Sequence, residues 1–169
     1  MLNFDFLGKY WPMFLQGSEL TLVISIIGVV IGFLIGLLLV LMRMSNLKIL
    51  NWIAGIYVSI VRGTPSMIQV LLIYYILSKS LPIPQVQVLG SGLDRIIPGA
   101  LALGLNSGAY TSEIFRSGII SIPDGQTEAG LSLGMSRHDT LFEIVLPQAL
   151  MNTLPAMGNE YITLIKESS

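Results

Sequence analysis

Residues 20–42, LTLVISIIGVVIGFLIGLLLVLM, run for 23 positions without a single charge. At about 1.5 Å per helical residue, such a run matches a hydrocarbon core of roughly 30 Å with a little tilt. A cleaved signal peptide fits it poorly. The run is too long, starts late, and lacks both a basic leader and a small-residue cleavage site. Composition agrees: 11% of the 169 residues are charged and the mean hydropathy is +0.75, whereas soluble domains carry about 25% charged residues. The chain reads as a membrane protein.

Three further apolar stretches are bounded more closely by charge. Sixteen uncharged residues separate Arg62 from Lys79, 17 separate Arg95 from Glu113, and 16 separate Glu143 from Glu160. Each is slightly short of the ~20 residues that a lone membrane helix needs. That is normal for helices packed among others, whose polar ends face protein or water. The expected organisation is one all-α membrane domain over 1–169, with spans at 18–42, 51–79, 96–117 and 147–166 and a polar connection over 118–146. The sequence has no cysteine for disulfides or thiolate metal sites. A net charge of −1 gives no nucleic-acid footprint. Its single histidine, His138, lacks neighbours at metal-ligand spacing.

Small residues organise two of the spans. Gly28, Gly32 and Gly36 recur every fourth residue, as do Ala100, Gly104 and Gly108, and such faces let helix backbones approach closely in lipid. In the second span, Arg62-Gly-Thr-Pro65 places proline where a new helix can begin, with Thr64 placed to cap it. One long helix kinked at Pro65 is the alternative. Asn106, Tyr110, Glu113 and Ser117 form one helical stripe in the third span, which points to a cavity or a partner helix. Arg116 follows Glu113 by three residues and is spaced to pair with it. A structural ion pair near the water boundary suits Glu113 and Arg116 better than a pathway role. Pro147, Pro155 and Gly158 predict a bent or interrupted fourth helix. Asn159 and Glu160 beside them are further candidates for a transport route.

The polar connection has its own pattern. Ile122-Pro-Asp-Gly125 carries a turn signature, and Gln126 to Leu133 reads as a short helix with Glu128 in its first turn. Gly134 is placed to end that helix in a left-handed conformation, and Ser136-Arg-His-Asp139 resembles a capping box opening the next one. Ala129 and Leu133, four apart, offer a small apolar face. The device is a helix, a sharp turn and a helix re-entering the membrane at Leu146-Pro147.

Glu128-Ala129-Gly130, Gly134 and Ile144-Val-Leu146-Pro147 resemble, at every spacing, the EAA loop of ABC importer permeases. One departure is Gly130, where that family usually has a second alanine. Arg62-Gly-Thr-Pro65, Ala109-Tyr110-Thr-Ser-Glu113-Ile-Phe-Arg116, Ile122-Pro-Asp-Gly125-Gln126, Leu146-Pro-Gln148-Ala149 and Leu164-Ile-Lys166-Glu-Ser-Ser169 resemble the polar amino acid branch. The resemblance implies a type I ABC importer-like helical bundle in the bacterial plasma membrane. It also implies a second permease subunit (the same chain or a related one), two cytoplasmic ATPases gripping the EAA loops, and an extracytoplasmic solute-binding protein. ATP and magnesium would then sit on the partner ATPase, since no glycine-rich phosphate loop precedes the one Gly-Lys pair, Gly8-Lys9. The family core has five spans, so a last span is expected beyond the four read here.

Two other classes fit less well. An ion-coupled secondary amino acid transporter would need ionisable residues deep in its spans, and only Arg62, Glu113 and Glu160, near predicted ends or breaks, are available. A membrane enzyme would need paired carboxylates, a metal cluster or a nucleophile beside the histidine. Lysines and arginines divide evenly between the two sides, so charge does not orient the chain.

Overall fold

The computed structural model of the chain describes residues 5–80, 83–84 and 86–169. Its helices are α1 (Asp5–Met44), α2 (Lys48–Gly63), α3 (Ser66–Ser80), α4 (Leu93–Ile120), α5 (Asp124–Ser132), α6 (Arg137–Asp139) and α7 (Leu146–Ser168). A π-helical turn, Thr140–Val145, joins α6 to α7 without a break. A two-stranded hairpin, β1 (Gln87–Val88) and β2 (Ser91–Gly92), precedes α4. Positive φ at both Leu89 and Gly90 gives its tight turn the hand that matches strand twist.

The core is the seam between α1 and α4. A Cβ added to Gly28 would lie 3.4 Å from the Leu103 Cβ, one on Gly32 would lie 2.8 Å from the Ser107 Cβ, and one on Gly36 would lie 2.7 Å from the Thr111 Cβ. From the other side, Gly104 and Gly108 receive Ile31 and Ile35, 2.6 and 2.5 Å from where a Cβ would stand. The partners rise together in number, so α1 and α4 run parallel. Both small-residue faces read from the sequence belong to this one contact, where dispersion between close backbones replaces the hydrophobic drive that lipid cannot supply. Helix α7 runs back antiparallel on α4. Gly118 meets Thr153 and the Ala149 carbonyl near one end, and Ser25 of α1 bonds Ser168 at 2.7 Å near the other.

The stretch expected as one span over 51–79 is two helices, α2 and α3, bent by 106° at Thr64-Pro65. Pro65 has no N–H to continue α2, and its carbonyl instead accepts from Ile68 and Gln69, starting α3. Thr64 does not cap the new helix. Its hydroxyl donates backwards to the Ile60 and Val61 carbonyls, at 3.0 and 3.3 Å. The Gln69 side-chain amide completes the elbow, donating to the Val61 carbonyl at 2.7 Å and to Thr64. Two carbonyls at the end of α2 are thereby satisfied where no water need reach.

The interruption expected in the fourth span lies elsewhere. Helix α7 continues through Pro155 and Gly158. Irregularity is concentrated just before it, because Pro147 cannot donate to the Glu143 carbonyl and its ring crowds that group. The preceding turn widens, with the Leu146 N–H reaching the Leu141 carbonyl, five residues back.

Among the described residues, α1 alone is long and apolar enough to cross a membrane, and α2 with α3 makes a second such unit if counted together. Helices α4 and α7, with 28 and 23 residues, have the length. Their mean apolarity is lowered by the Ser, Thr, Asn and Gly that pack inside, such as Asn106, Ser107, Thr111, Ser112 and Thr153.

Candidate functional site: the coupling knob and the polar elbow

Between α4 and α7 the chain builds a compact projection. Pro123 is the N-cap of α5, and the helix starts at Asp124, two residues before the expected Gln126. Gly125 is not a turn glycine; it lies inside the first helical turn, while positive φ among the described glycines occurs at Gly90 and Gly134. Proline followed by Asp serves a helix start as well as a turn, with the acid near the positive end of the helix dipole.

The stop is as read. Gly134 has φ +83°, its N–H donates to the Leu131 carbonyl at 3.0 Å, and the Met135 N–H donates to the Gly130 carbonyl at 3.1 Å. These paired bonds are the Schellman closure. The Ser136 hydroxyl accepts from the Asp139 N–H at 3.1 Å and donates to the Asp139 carboxylate at 2.7 Å, opening α6. The serine thus shields both the backbone and the side chain of Asp139, and its hydroxyl holds that carboxyl below the usual carboxylate range, with His138 helping. His138 itself is exposed and stacks on Phe142, with ring centres 4.5 Å apart.

One side of α5 is seated and the other free. Gly130 is buried, and a Cβ there would meet Thr140 Cγ2 at 2.7 Å and Ile144 Cδ1 at 3.1 Å. Gln148 of α7 donates to the Gln126 side chain at 3.3 Å and to the Ile144 carbonyl at 2.9 Å. Asn152 ties α7 to Ser121 at the end of α4, at 3.0 Å. On the outer side Glu128 and Ala129 are exposed, and Leu133 is 82% exposed. Of the remaining loop residues, Leu146 is half-buried and Pro147 is exposed at the start of α7.

The pathway candidates divide among four places. Asn106 is buried and donates to Gln69 at 3.1 Å, linking α4 to the α2–α3 elbow. Tyr110, one turn on, lies under the Arg62 guanidinium at 5.1 Å, a cation–π contact. Tyr57 donates to the Leu105 carbonyl at 2.8 Å beside them. Glu113 is nearer the knob, bound by Arg116 at 2.8 and 2.9 Å and also by Arg43 of α1. Glu160 of α7 approaches Ser107 on the far side of α4. Asn159 is exposed on α7. Two members escaped sequence reading: Gln69, whose role needs the elbow geometry, and Arg43, which is 70 residues from Glu113.

The fold and site together define a helical bundle that carries a compact projecting helical knob between α4 and α7. The chain belongs to the family of binding-protein-dependent transport system inner membrane components, which it matches over residues 28–169. It is 38% identical over 161 residues to the L-cystine transport system permease protein TcyB of Bacillus subtilis, covering 95% of this chain and 65% of that protein. It is 40% identical over 158 residues to the arginine transport system permease protein ArtQ of the same organism, covering 94% and 68%. A crystal structure of an amino acid ABC transporter with histidines superposes with a TM-score of 0.87 at 39% identity, covering 99% of this chain and 74% of that one. The MetNI methionine ABC transporter, inward facing, shares the fold at a TM-score of 0.62 and 21% identity. The architecture is therefore the transmembrane fold of type I ABC importers, built here from a parallel α1–α4 seam and an antiparallel α7.

Proposed function

We propose that the chain is a permease subunit of an ATP-binding-cassette importer for polar amino acids in a bacterial plasma membrane. Its helices line the route together with a second permease subunit, either another copy or a related chain. The exposed face of α5, with Glu128, Ala129 and Leu133, docks on a cytoplasmic ATPase that holds the ATP and magnesium. An extracytoplasmic binding protein delivers the solute at the opposite end. Nucleotide hydrolysis resides in the partner, and this chain converts its motion into a change of access.

The observation that carries this reading is the asymmetry of α5. A helix meant to rest on lipid would offer broad apolar area, whereas this one leaves two large apolar side chains in the open, Leu131 and the far more exposed Leu133. Its other side is locked against the π-turn through Gly130, Thr140 and Ile144. A push on the knob therefore reaches α7 directly, and α4 through Asn152 and Ser121. Arg62, Tyr110, Gln69 and Asn106 supply a polar group along α4 suited to a solute bearing both charge and amide-like polarity. The relatives' transport of cystine and arginine supports a polar amino acid as cargo. Membership in a binding-protein-dependent family weighs against the ion-coupled carrier.

The test uses the chain assembled with its ATPase and binding protein in proteoliposomes. Leu133→Asp and Glu128→Lys alter exposed side chains only. Both should abolish solute-stimulated ATP turnover and uptake while the binding protein still docks. Undiminished uptake in both variants overturns the proposal, as does uptake driven by an ion gradient without ATP.

A further inference from the structure

We propose that the knob end of the bundle holds one anionic phospholipid, with its phosphate on Arg43 and Arg116 and an acyl chain in the groove between α1, α4 and α7. The inference does not depend on what the transporter carries. It rests on two voids of opposite character that meet at shared residues.

The first void is a pocket of about 320 Å³ lined by Arg43, Met44, Asn51, Arg116, Ile119 and Ile120. Arg43 is the first charge after the uncharged run 20–42, so it marks the water boundary on this side. Two guanidiniums share the single Glu113 carboxylate, which leaves one positive charge uncompensated within the cluster. Glu113 occupies Arg116 Nε and Nη2 and Arg43 Nη1. Arg116 Nη1 and Arg43 Nη2 have no acceptor among the described residues, although each guanidinium has five N–H donors. The two side chains are 40% and 22% exposed, so their free donors remain reachable. Guanidiniums at a membrane boundary suit a phosphate, which they can grip in a planar, forked geometry.

The second void is a groove of about 300 Å³ with an entirely apolar lining, including Phe33, Leu37, Leu41, Phe115 and Leu150. Met44 and Ile119 line both voids, so the groove and the charged pocket adjoin at these two side chains. Each falls in the size range of small-molecule sites, roughly 300–1,000 Å³. A soluble anion would leave the groove empty, and an uncharged lipid would leave the excess charge unanswered. An amphiphile with an anionic head satisfies both. Phe142 and Leu141 of the π-turn also border the groove, so the bound chain would rest against the hinge between the knob and α7.

The experiment measures thermal unfolding of the full chain in neutral detergent with three additives. These are a phosphatidylglycerol, a phosphatidylcholine with the same acyl chains, and glycerol 3-phosphate, which has the head chemistry without the tails. Phosphatidylglycerol should raise the unfolding temperature well beyond the other two. Equal shifts from both lipids, or the full shift from glycerol 3-phosphate, overturn the proposal. Arg116→Gln keeps the Arg43–Glu113 pair and should weaken phosphatidylglycerol binding about tenfold. Glu113→Gln frees both arginines and should tighten it. A merely structural ion cluster predicts the opposite for Glu113→Gln, with lipid binding lost or unchanged, and that outcome also overturns the proposal.

Discussion

Gly32 of α1 faces Ser107 of α4 so closely that a Cβ on the glycine would stand 2.8 Å from both the Cβ and the hydroxyl of the serine. The backbone behind Ser107 is also close, with the Gly108 N at 3.3 Å, so moving the serine side chain alone does not open room for a larger residue. Gly32→Val should therefore force the helices apart and destabilise the bundle by about 1–3 kcal/mol, the usual cost of overpacking. Gly55 in α2 is the control, because a Cβ there meets nothing within 4 Å. Gly55→Ala should be neutral or slightly stabilising, since alanine is the better helix former. Thermal unfolding in detergent compares the two, and a Gly32→Val protein as stable as Gly55→Ala would refute the seam.

That seam was half legible in the sequence. A four-residue recurrence of glycine on two spans states that each needs a close neighbour, but not that the neighbours are each other or that they run parallel. The elbow at Pro65 was visible because proline removes a donor at a fixed place. Its angle, and the use of Gln69 to close it, depend on where α4 passes. Arg43 and Glu113 could not be paired from spacing, which speaks only about partners within a turn or two. Pro-Asp-Gly at 123–125 spells a turn and a helix start equally well, and here it starts α5. Pro155 failed to break α7 because a continuous helix can accommodate one missing N–H when neighbouring helices hold its flanks.

Gly134 ends α5 at φ +83°, a region that costs a residue with a Cβ about 1–2 kcal/mol. Gly134→Ala should weaken the Met135 N–H to Gly130 carbonyl closure and fray the last turn of α5. Gly134→Asn, which tolerates this conformation better, should keep most of it. Hydrogen exchange at the amides of residues 133–135 reads the difference directly. Coupled uptake should fall with the loss of protection, and equal protection in all three proteins would remove the glycine from the account.

Gly130 and Thr140 fit as a pair. Alanine at 130 would place its Cβ 2.7 Å from Thr140 Cγ2 and 2.9 Å from its hydroxyl, so Gly130→Ala alone should destabilise the knob's seat by about 1–3 kcal/mol. Thr140→Ala removes both clashing atoms, at the expense of the hydroxyl's bond to the Ser136 carbonyl at 2.9 Å. The double variant should recover much of what Gly130→Ala loses. A double-mutant cycle in thermal stability checks this, with a coupling energy of about 0.5–3 kcal/mol expected and simple additivity counting against the contact.

Asp139 gives the knob a dependence on acidity. The Ser136 hydroxyl, and after it His138, hold the carboxyl below the usual carboxylate range in the folded chain. Because the folded pKa is depressed relative to the unfolded one, its support for the start of α6 is complete above the unfolded value. That support is lost as pH falls through the folded value. The Asp139 N–H, which donates to the Ser136 hydroxyl at 3.1 Å, should therefore stay protected from exchange at neutral pH and lose protection only in strong acid, after correction for the intrinsic rate. In Asp139→Asn the serine keeps a partner that does not titrate, and the protection should be flat across the same interval. A wild-type profile as flat as that of the variant would show that the carboxylate contributes nothing to the α6 cap.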